Sequence, residues 1–217
     1  GDDRAEPVVA DFASLAEVRD LAARIAASHE RLDALVSNAG IGTTVPGSGE
    51  RQESADGHEL RFAVNYLAGF LLTRLLLPPL IAAAPARIVH VSSAGQAPID
   101  FDDVMLARRY SPMQAYCQSK LAQIMFTFDL AEELAGSGVT ATALHPATYM
   151  PTKIVPRPVS TLEEGVRATL RLVADPALDG VTGRYFNGRA EDAAHAQAYD
   201  GAARARLRAL SERLTAV

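Results

Sequence analysis

The stretch RIVHVSS, residues 87–93, is an apolar run that ends in two serines. Such a short run, rich in branched side chains, is typical of a strand buried on both faces. Two other stretches follow the same pattern: LDALVSN (32–38), which leads into AGIG, and GVTATALHP (138–146). Because these strands alternate with helical patterns along the chain, they predict a parallel sheet covered by helices on both faces.

The remaining elements are assigned from periodicity and from turn residues. Helices are predicted at 14–29, at about 56–83, at 113–136, at 161–175 and in the arginine-rich tail that carries Leu207, Leu210 and Leu214. Short strands are predicted at 7–12 and 183–188, and loops at 43–55, 94–112 and 147–160. The sequence therefore predicts one Rossmann-like, doubly wound and mostly parallel α/β domain with three layers over residues 1–217.

The composition argues against several classes of protein. A net charge of −5 offers no basic surface for nucleic acid. No apolar run reaches the ~18 residues typical of a membrane span, and the longest candidate, 66–84, contains Arg74 and two prolines. The single cysteine, Cys117, cannot form an internal disulfide, which fits a reducing compartment. We therefore expect a cytoplasmic protein without a nucleic-acid or membrane partner.

Small and polar residues follow the three buried strands. Ligands bind beyond the carboxyl ends of the strands in open parallel sheets, so these positions are the candidate site. The residues at these positions are Asn38, Ala39 and Gly40 after one strand, Ser92 and Ser93 at the end of the next, and His145 and Pro146 at the end of the third. The helix that begins near residue 113 enters from the same side.

The two lysines of the chain each follow a tyrosine by four residues, in YCQSK and in YMPTK. Side chains at this spacing are neighbours only on a helix. Pro151 interrupts the second segment, whereas the first has no helix breaker and continues into an apolar helix. We therefore predict that Tyr116 and Lys120 share one helix face near Ser93, and that Tyr149 and Lys153 do not pair.

A serine, a tyrosine and a lysine at one site favour carbonyl/alcohol redox chemistry. The free phenol has a pKa near ~10, and an ammonium one helical turn away is expected to lower the pKa of Tyr116. Tyr116 then exchanges a proton with the substrate oxygen while the Ser93 hydroxyl binds the same oxygen. No side chain supplies a hydride, so the chemistry implies a nicotinamide cofactor.

The sequence resembles the short-chain dehydrogenases/reductases over essentially the whole chain, and most of all their retinol dehydrogenase-like subgroup. The motifs that carry the resemblance are SNAG (37–40), FAVNYLAGF (62–70), RIVHVSSAG (87–95), AYCQSK (115–120) and LHPATYMPT (144–152). The resemblance implies a catalytic tetrad of Asn65, Ser93, Tyr116 and Lys120, and NADP or NAD as cofactor. The residues implied to bind that cofactor are Asp11, Asn38, Ala39, Gly40, Tyr116, Lys120, Pro146, Thr148 and Thr152.

Three features depart from the family pattern. Ser37 stands where the family has asparagine, and Pro146-Ala147 replaces a Pro-Gly turn, after which Thr152 comes one place late. The family also opens with a strand and a TGxxxGxG loop that holds the cofactor pyrophosphate at a helix N-terminus, and the 217 residues contain no match. We therefore expect a sheet without its first two strands, a bared apolar face, and weak or no NAD(P) binding by this chain alone.

Three hypotheses for function remain open from the sequence. The chain is part of an active oxidoreductase, a truncated relative that acts as a non-catalytic binding or interaction protein, or an unrelated α/β enzyme. Individual residues also have structural interpretations: Asn65 as a packing residue, His145 as a structural histidine, and Asp100, Asp102 and Asp103 as a solvated loop rather than a metal site.

We also predict a homo-oligomer. The side chains Phe70, Leu71, Leu75, Met125 and Phe126 are too many for one sheet-facing surface. In the family, the two helices that carry them form the subunit interface, and the resemblance implies the same here.

Overall fold

A five-stranded sheet with helices on both faces forms the part of the chain that the computed structural model describes, residues 5–43, 49–152, 155 and 157–217. The strands are β1 (Ala34–Ser37), β2 (Ala86–Val91), β3 (Val139–His145), β4 (Arg184–Asn187) and β5 (Ala190–Asp192). The helices are α1 (Leu15–Ser28), α2 (Leu60–Ala82), α3 (Pro112–Glu133), α4 (Leu162–Ala174) and α5 (Gly201–Thr215). Short 3₁₀ turns lie at Pro176–Leu178 and Ala196–Tyr199.

The sheet follows chain order, β1-β2-β3-β4-β5. The first four strands are parallel, and β5 returns antiparallel to β4. Helices α2 and α3 pack on one face, against Ile88 and Ala141, while α4 packs on the other, against Val89 and Leu144. The predicted mostly parallel, three-layered Rossmann-like fold is confirmed.

The predicted strand at 7–12 is wrong. These residues run as extended chain without a ladder partner, and Val9 is 90% exposed. The backbone instead turns into α1, where the Ser14 N–H donates to the Asp11 carbonyl. An isolated apolar stretch cannot satisfy its backbone groups as a strand, because strand hydrogen bonds require a neighbour.

One face of β1 is uncovered in the described structure, as the sequence predicted. Val36 pairs in register with Val89, on the face that α4 covers further along the sheet, yet Val36 is 40% exposed. Helix α4 itself exposes Leu162, Val166 and Leu170, which recur every four residues along one side. Both the edge strand and the helix thus expose apolar side chains.

The side chains that motivated the predicted homo-oligomer are mostly covered within this single chain. Phe70, Leu71, Met125 and Phe126 are buried within this single chain, and Leu75 is partly buried. The cover is α5, an element whose docking the sequence did not indicate.

Helix α5 is held on α2 and α3 by polar contacts around the buried Leu207. Arg208 donates to Asp129 at 2.9 Å, and Arg204 donates to Glu132 at 2.7 Å. The Tyr66 and Ser211 hydroxyls lie 2.7 Å apart.

Helix α2 is long and apolar enough to cross a membrane, but 72% of its apolar window is buried inside the described structure, as in core helices of soluble proteins.

His90 on β2 is a buried histidine between α2 and α3. Its Nδ1 lies 2.9 Å from the Thr127 hydroxyl, and its Nε2 lies 3.4 Å from the Thr73 hydroxyl. Burial lowers the pKa of His90 to about 4. The folded state therefore keeps His90 neutral at pH values where the unfolded chain, with a pKa near ~6.5, takes up a proton.

Acidification should therefore destabilise the fold through His90. As the pH falls from about 6.5 toward 4, the unfolded state binds the proton first, and the free energy of unfolding decreases by on the order of 3 kcal/mol. Urea unfolding at several pH values, on the wild type and on His90→Gln, measures this contribution as the difference between their pH slopes. Identical slopes would show that His90 does not contribute to the pH dependence of the free energy of unfolding.

Candidate active site

Ser93 and Tyr116 lie together at the carboxyl end of β2. Helix α3 begins here because Ser111 caps it, accepting the Gln114 N–H, and Pro112 occupies its first turn. This start places Tyr116 in the second turn, where its ring lies beside Ser93 and the Ser93 hydroxyl lowers the pKa of the phenol. The sequence prediction that these two residues meet thus agrees with the geometry.

Gly95 makes this meeting possible. A Cβ at Gly95 would lie 3.5 Å from Ser93 Oγ and 3.9 Å from Tyr116 Cε1, and 3.3 Å from the sulfur of Cys117. The Ser93 hydroxyl also accepts the Gly95 N–H at 3.0 Å. A side chain at this position would therefore crowd the Cys117 sulfur and contact both Ser93 and Tyr116.

Lys120 is buried below Tyr116 on the same face of α3. Its Nζ lies 5.8 Å from the centroid of the Tyr116 ring. The ammonium donates to the Val91 carbonyl and to Gln123 Oε1, both at 3.0 Å. The Lys120 carbonyl in turn accepts the Ser92 hydroxyl at 2.7 Å. Ser92 is therefore a structural link between β2 and α3.

Asn65 lies in a π-helical turn, Ala63–Leu67, inside α2. Its amide makes two hydrogen bonds to the backbone of Ile41, accepting the N–H at 2.7 Å and donating to the carbonyl at 3.1 Å. It also donates to Ser119 Oγ at 3.0 Å, and so joins α2 to α3. π-Helical turns occur often at functional sites, because they redirect one side chain without ending the helix.

The turn after β1 closes against Asn65 and Lys120. A Cβ at Gly40 would lie 3.1 Å from Asn65 Oδ1 and 3.6 Å from Lys120 Nζ. Asn38 and Ala39, beside it, are exposed. A buried arginine, Arg61, fixes the next part of the turn by donating to the Gly42 carbonyl at 3.0 Å.

The ionisation of Tyr116 differs from the prediction. Burial raises the pKa of Tyr116 above its usual value, and the Ser93 contact lowers that pKa only in part. The Lys120 ammonium is turned toward Val91 and Gln123, and burial lowers the pKa of Lys120 to about 8. The prediction that Lys120 brings the Tyr116 pKa down is therefore wrong for this structure, because a sequence shows proximity but not burial.

A cleft of about 330 Å³ opens beside the carboxyl ends of β3 and β4. Pro146 and Thr148 line it, and the Thr148 hydroxyl lies 3.1 Å from Nε2 of His145, which supports the structural interpretation of that histidine. Thr152 is exposed beyond the cleft, and its N–H donates to the Met150 carbonyl. The Asp11 carboxylate accepts the Ala13 N–H, so it shapes the turn before α1.

The structure bears on only one of two further predictions. Lys153 lies outside the described residues, so the expected lack of pairing with Tyr149 stays a prediction. Asp103 accepts the backbone N–H groups of Ala107 and Arg108, which is the behaviour of a loop-forming residue.

Sequence reasoning missed two contacts at the site. The Tyr185 hydroxyl on β4 donates to the Ser93 carbonyl at 3.0 Å, and Gln123 binds Lys120. Neither residue belongs to a motif that the sequence analysis singled out, and only the spacing of three residues between Lys120 and Gln123 on one helix could have indicated the second contact.

The sequence is similar over most of its length to known proteins. The sequence model of the short chain dehydrogenase family matches residues 2–160. Human retinol dehydrogenase 13 is 39% identical over 225 residues, and the match covers 94% of this chain but only 66% of that protein. The chain thus spans about two thirds of the length of this relative.

Solved structures share the fold. The crystal structure of an uncharacterized protein from Mycobacterium paratuberculosis superposes with a TM-score of 0.76 at 31% identity, covering 96% of this chain and 74% of that one. The RhlG/NADP active-site complex of Pseudomonas aeruginosa superposes with a TM-score of 0.60 at 26% identity, covering 83% and 73% of the two chains.

Proposed function

This chain belongs to the short-chain dehydrogenase family, and on that premise we propose that it carries the catalytic part of an NAD(P)-dependent oxidoreductase. The reaction is hydride transfer between a nicotinamide cofactor and a small carbonyl or alcohol substrate. The observation that carries the proposal is the meeting of Ser93 with Tyr116 above a buried Lys120, next to a turn held by Asn65.

Tyr116 acts as the general acid in the direction of carbonyl reduction. Its raised pKa keeps the phenol protonated at neutral pH, so it can donate its proton to the substrate oxygen as the carbonyl carbon is reduced. The Ser93 hydroxyl donates a second hydrogen bond to the same oxygen and helps to stabilise its developing negative charge. In alcohol oxidation, the deprotonated form of the same side chain, the Tyr116 phenolate, accepts the proton from the alcohol.

Lys120 supports that proton transfer as a source of the replacement proton. At neutral pH its ammonium stays mostly charged, since burial lowers its pKa only to about 8. The Lys120 pKa near neutrality allows the ammonium to return a proton to the phenolate that forms when Tyr116 gives up its proton.

The residues of the site fit a nicotinamide cofactor at its ribose end. The close approach of Gly40 to Asn65 and Lys120 leaves no room for a side chain, but it brings backbone and ammonium together at one surface. Asn38, Gly40, Lys120, Pro146 and Thr148 would hold the bound NADP or NAD, which would supply or accept the hydride. Asp11, Ala39, Tyr116 and Thr152 complete the proposed contacts.

A second candidate, a non-catalytic binding protein, is favoured by the exposed apolar side of α4 and β1. The two candidates separate in one assay. The chain, alone and joined at its amino terminus to a family TGxxxGxG segment, is mixed with NADPH or NADH and a panel of ketones and aldehydes, retinal included. Loss of nicotinamide absorbance supports the oxidoreductase. The absence of both saturable cofactor binding and turnover, with and without the added segment, would favour the cofactor-free binding protein.

Location and assembly are part of the same proposal. A single, buried cysteine fits a reducing compartment such as the cytoplasm. A homo-oligomer remains proposed, but its contact surface should be the uncovered side of α4 and β1 rather than α2 and α3, which α5 covers. Light scattering at micromolar concentration decides between a monomer and an oligomer.

A further inference from the structure

Gln123 is the polar side chain that contacts the Lys120 ammonium in the described structure. Its Oε1 lies 3.0 Å from Lys120 Nζ, one turn further along α3, and the side chain is buried. The backbone of Gln123 is fixed as well, because its carbonyl accepts the Thr127 hydroxyl at 2.7 Å. The contact therefore joins two well-ordered, buried groups.

The two acceptors determine where the lysine can act. An ammonium has three N–H donors, and two of them bind Val91 and Gln123. Tetrahedral geometry then leaves the third donor on the open side of the ammonium, where the turn at Gly40 approaches it. Without Gln123, Nζ would keep one fixed acceptor and could rotate about its flexible stem.

We propose that Gln123 is a positioning residue, which holds the Lys120 ammonium against β2 and keeps its third N–H directed toward the turn at Gly40. This inference rests on the proposed function for its catalytic meaning, but the contact itself does not. Gln123 touches neither substrate nor Tyr116 in this role. It acts through Lys120.

The surroundings make the ionisation of Lys120 sensitive to this one contact. Among the titratable groups on the elements packed around Lys120, α3 brings Tyr116, and β2 brings His90, whose ring is bound to Thr127. The turn at 38–43 carries no titratable side chain. Loss of a hydrogen-bond acceptor destabilises a buried ammonium relative to the neutral amine, so the pKa of Lys120 should fall.

Two lysines in the whole chain allow a direct measurement. With ¹³C- and ¹⁵N-labelled lysine, NMR titration follows both side chains, and Lys120→Met assigns the signals. We expect Gln123→Leu to lower the Lys120 pKa by about one unit. Gln123→Glu, which places a carboxylate on the ammonium, should raise it by at least about one unit.

Gln118 provides the matched control. It is a buried glutamine on the same helix, but its amide donates to the Val104 carbonyl at 2.7 Å, away from Lys120. Gln118→Leu should leave the Lys120 pKa unchanged. A Gln123→Leu chain that keeps its NMR fold and also leaves this pKa unchanged would overturn the inference. If Gln123→Leu fails to fold, an unshifted pKa in Gln123→Glu overturns it equally.

A second readout separates this inference from the proposed function. In the NADPH-consuming chain, Gln123→Leu should shift the pH–rate profile in the direction of the Lys120 pKa, and Gln118→Leu should not. A shifted Lys120 pKa in a chain without redox turnover would leave the positioning role intact and would reject the oxidoreductase proposal. Turnover in a Gln123→Leu chain with an unchanged Lys120 pKa would support the oxidoreductase proposal and would reject the positioning role.

Discussion

Replacing Tyr116 with phenylalanine is expected to lower the rate of carbonyl reduction by about 10²–10⁴-fold, the usual contribution of a general acid. The ring and its packing remain, so the loss isolates the proton that the phenol donates. Cofactor affinity should change little, because phenylalanine keeps the ring and removes only the hydroxyl. The rate is measured from nicotinamide absorbance in the chain joined to a family TGxxxGxG segment, and affinity from nicotinamide fluorescence.

Tyr199→Phe is the control for this substitution. The Tyr199 hydroxyl accepts the Ala194 N–H at 3.0 Å, outside the proposed site, and its ring is 57% exposed. It should retain wild-type turnover. If Tyr116→Phe reduced carbonyls as fast as Tyr199→Phe, Tyr116 would not be the acid, and the Ser93–Tyr116 meeting would have only a structural meaning.

The second large effect concerns the cofactor phosphates. The 217-residue chain should bind NADPH or NADH weakly or not at all, since its sequence has no glycine-rich turn that leads from a strand into a helix. Joining a family TGxxxGxG segment should strengthen binding by at least about a thousandfold. That estimate corresponds to three charge-assisted hydrogen bonds from backbone N–H groups, taken at the low end of their usual strength.

The same extension with its three glycines changed to alanine is the control. It preserves the added strands but blocks the close approach of the phosphates to the backbone. Fluorescence titration of the three proteins compares them directly. Saturable micromolar binding by the 217-residue chain alone would show that its phosphate site lies elsewhere, for example in the cleft that Arg167 and Arg189 line.

The sequence predicted the sheet well where strands are long and apolar. The strands β2 and β3 appear where continuous apolar runs placed them, because strands buried on both faces leave this clear pattern. Strand β1 also lies at its predicted run, although one of its faces is exposed. The three-residue strand β5, with the sequence AED, has no apolar pattern and forms only because it pairs with β4. The stretch at 7–12 shows the reverse case, a strand-like pattern without a neighbour.

At the site, motifs predicted which residues meet but not their energetics. The meeting of Ser93 and Tyr116 follows from strand end and helix start, both of which the sequence indicates. The pKa of Tyr116 depends on how deeply the phenol is buried, and that depends on the packing of segments distant in sequence. The docking of α5 likewise requires Arg204 and Arg208 to find Asp129, which no local pattern specifies.

Isotope transfer tests the central claim most directly. The chain joined to its glycine-rich segment is incubated with a carbonyl substrate and NADPH that carries deuterium at the hydride-bearing carbon of the nicotinamide, one deuterated face at a time. The account predicts that mass spectrometry finds one deuterium on the carbinol carbon of the product with only one of the two deuterated forms of NADPH. Bound cofactor with no deuterium in any product, from either face, would contradict the assignment of this chain as an oxidoreductase.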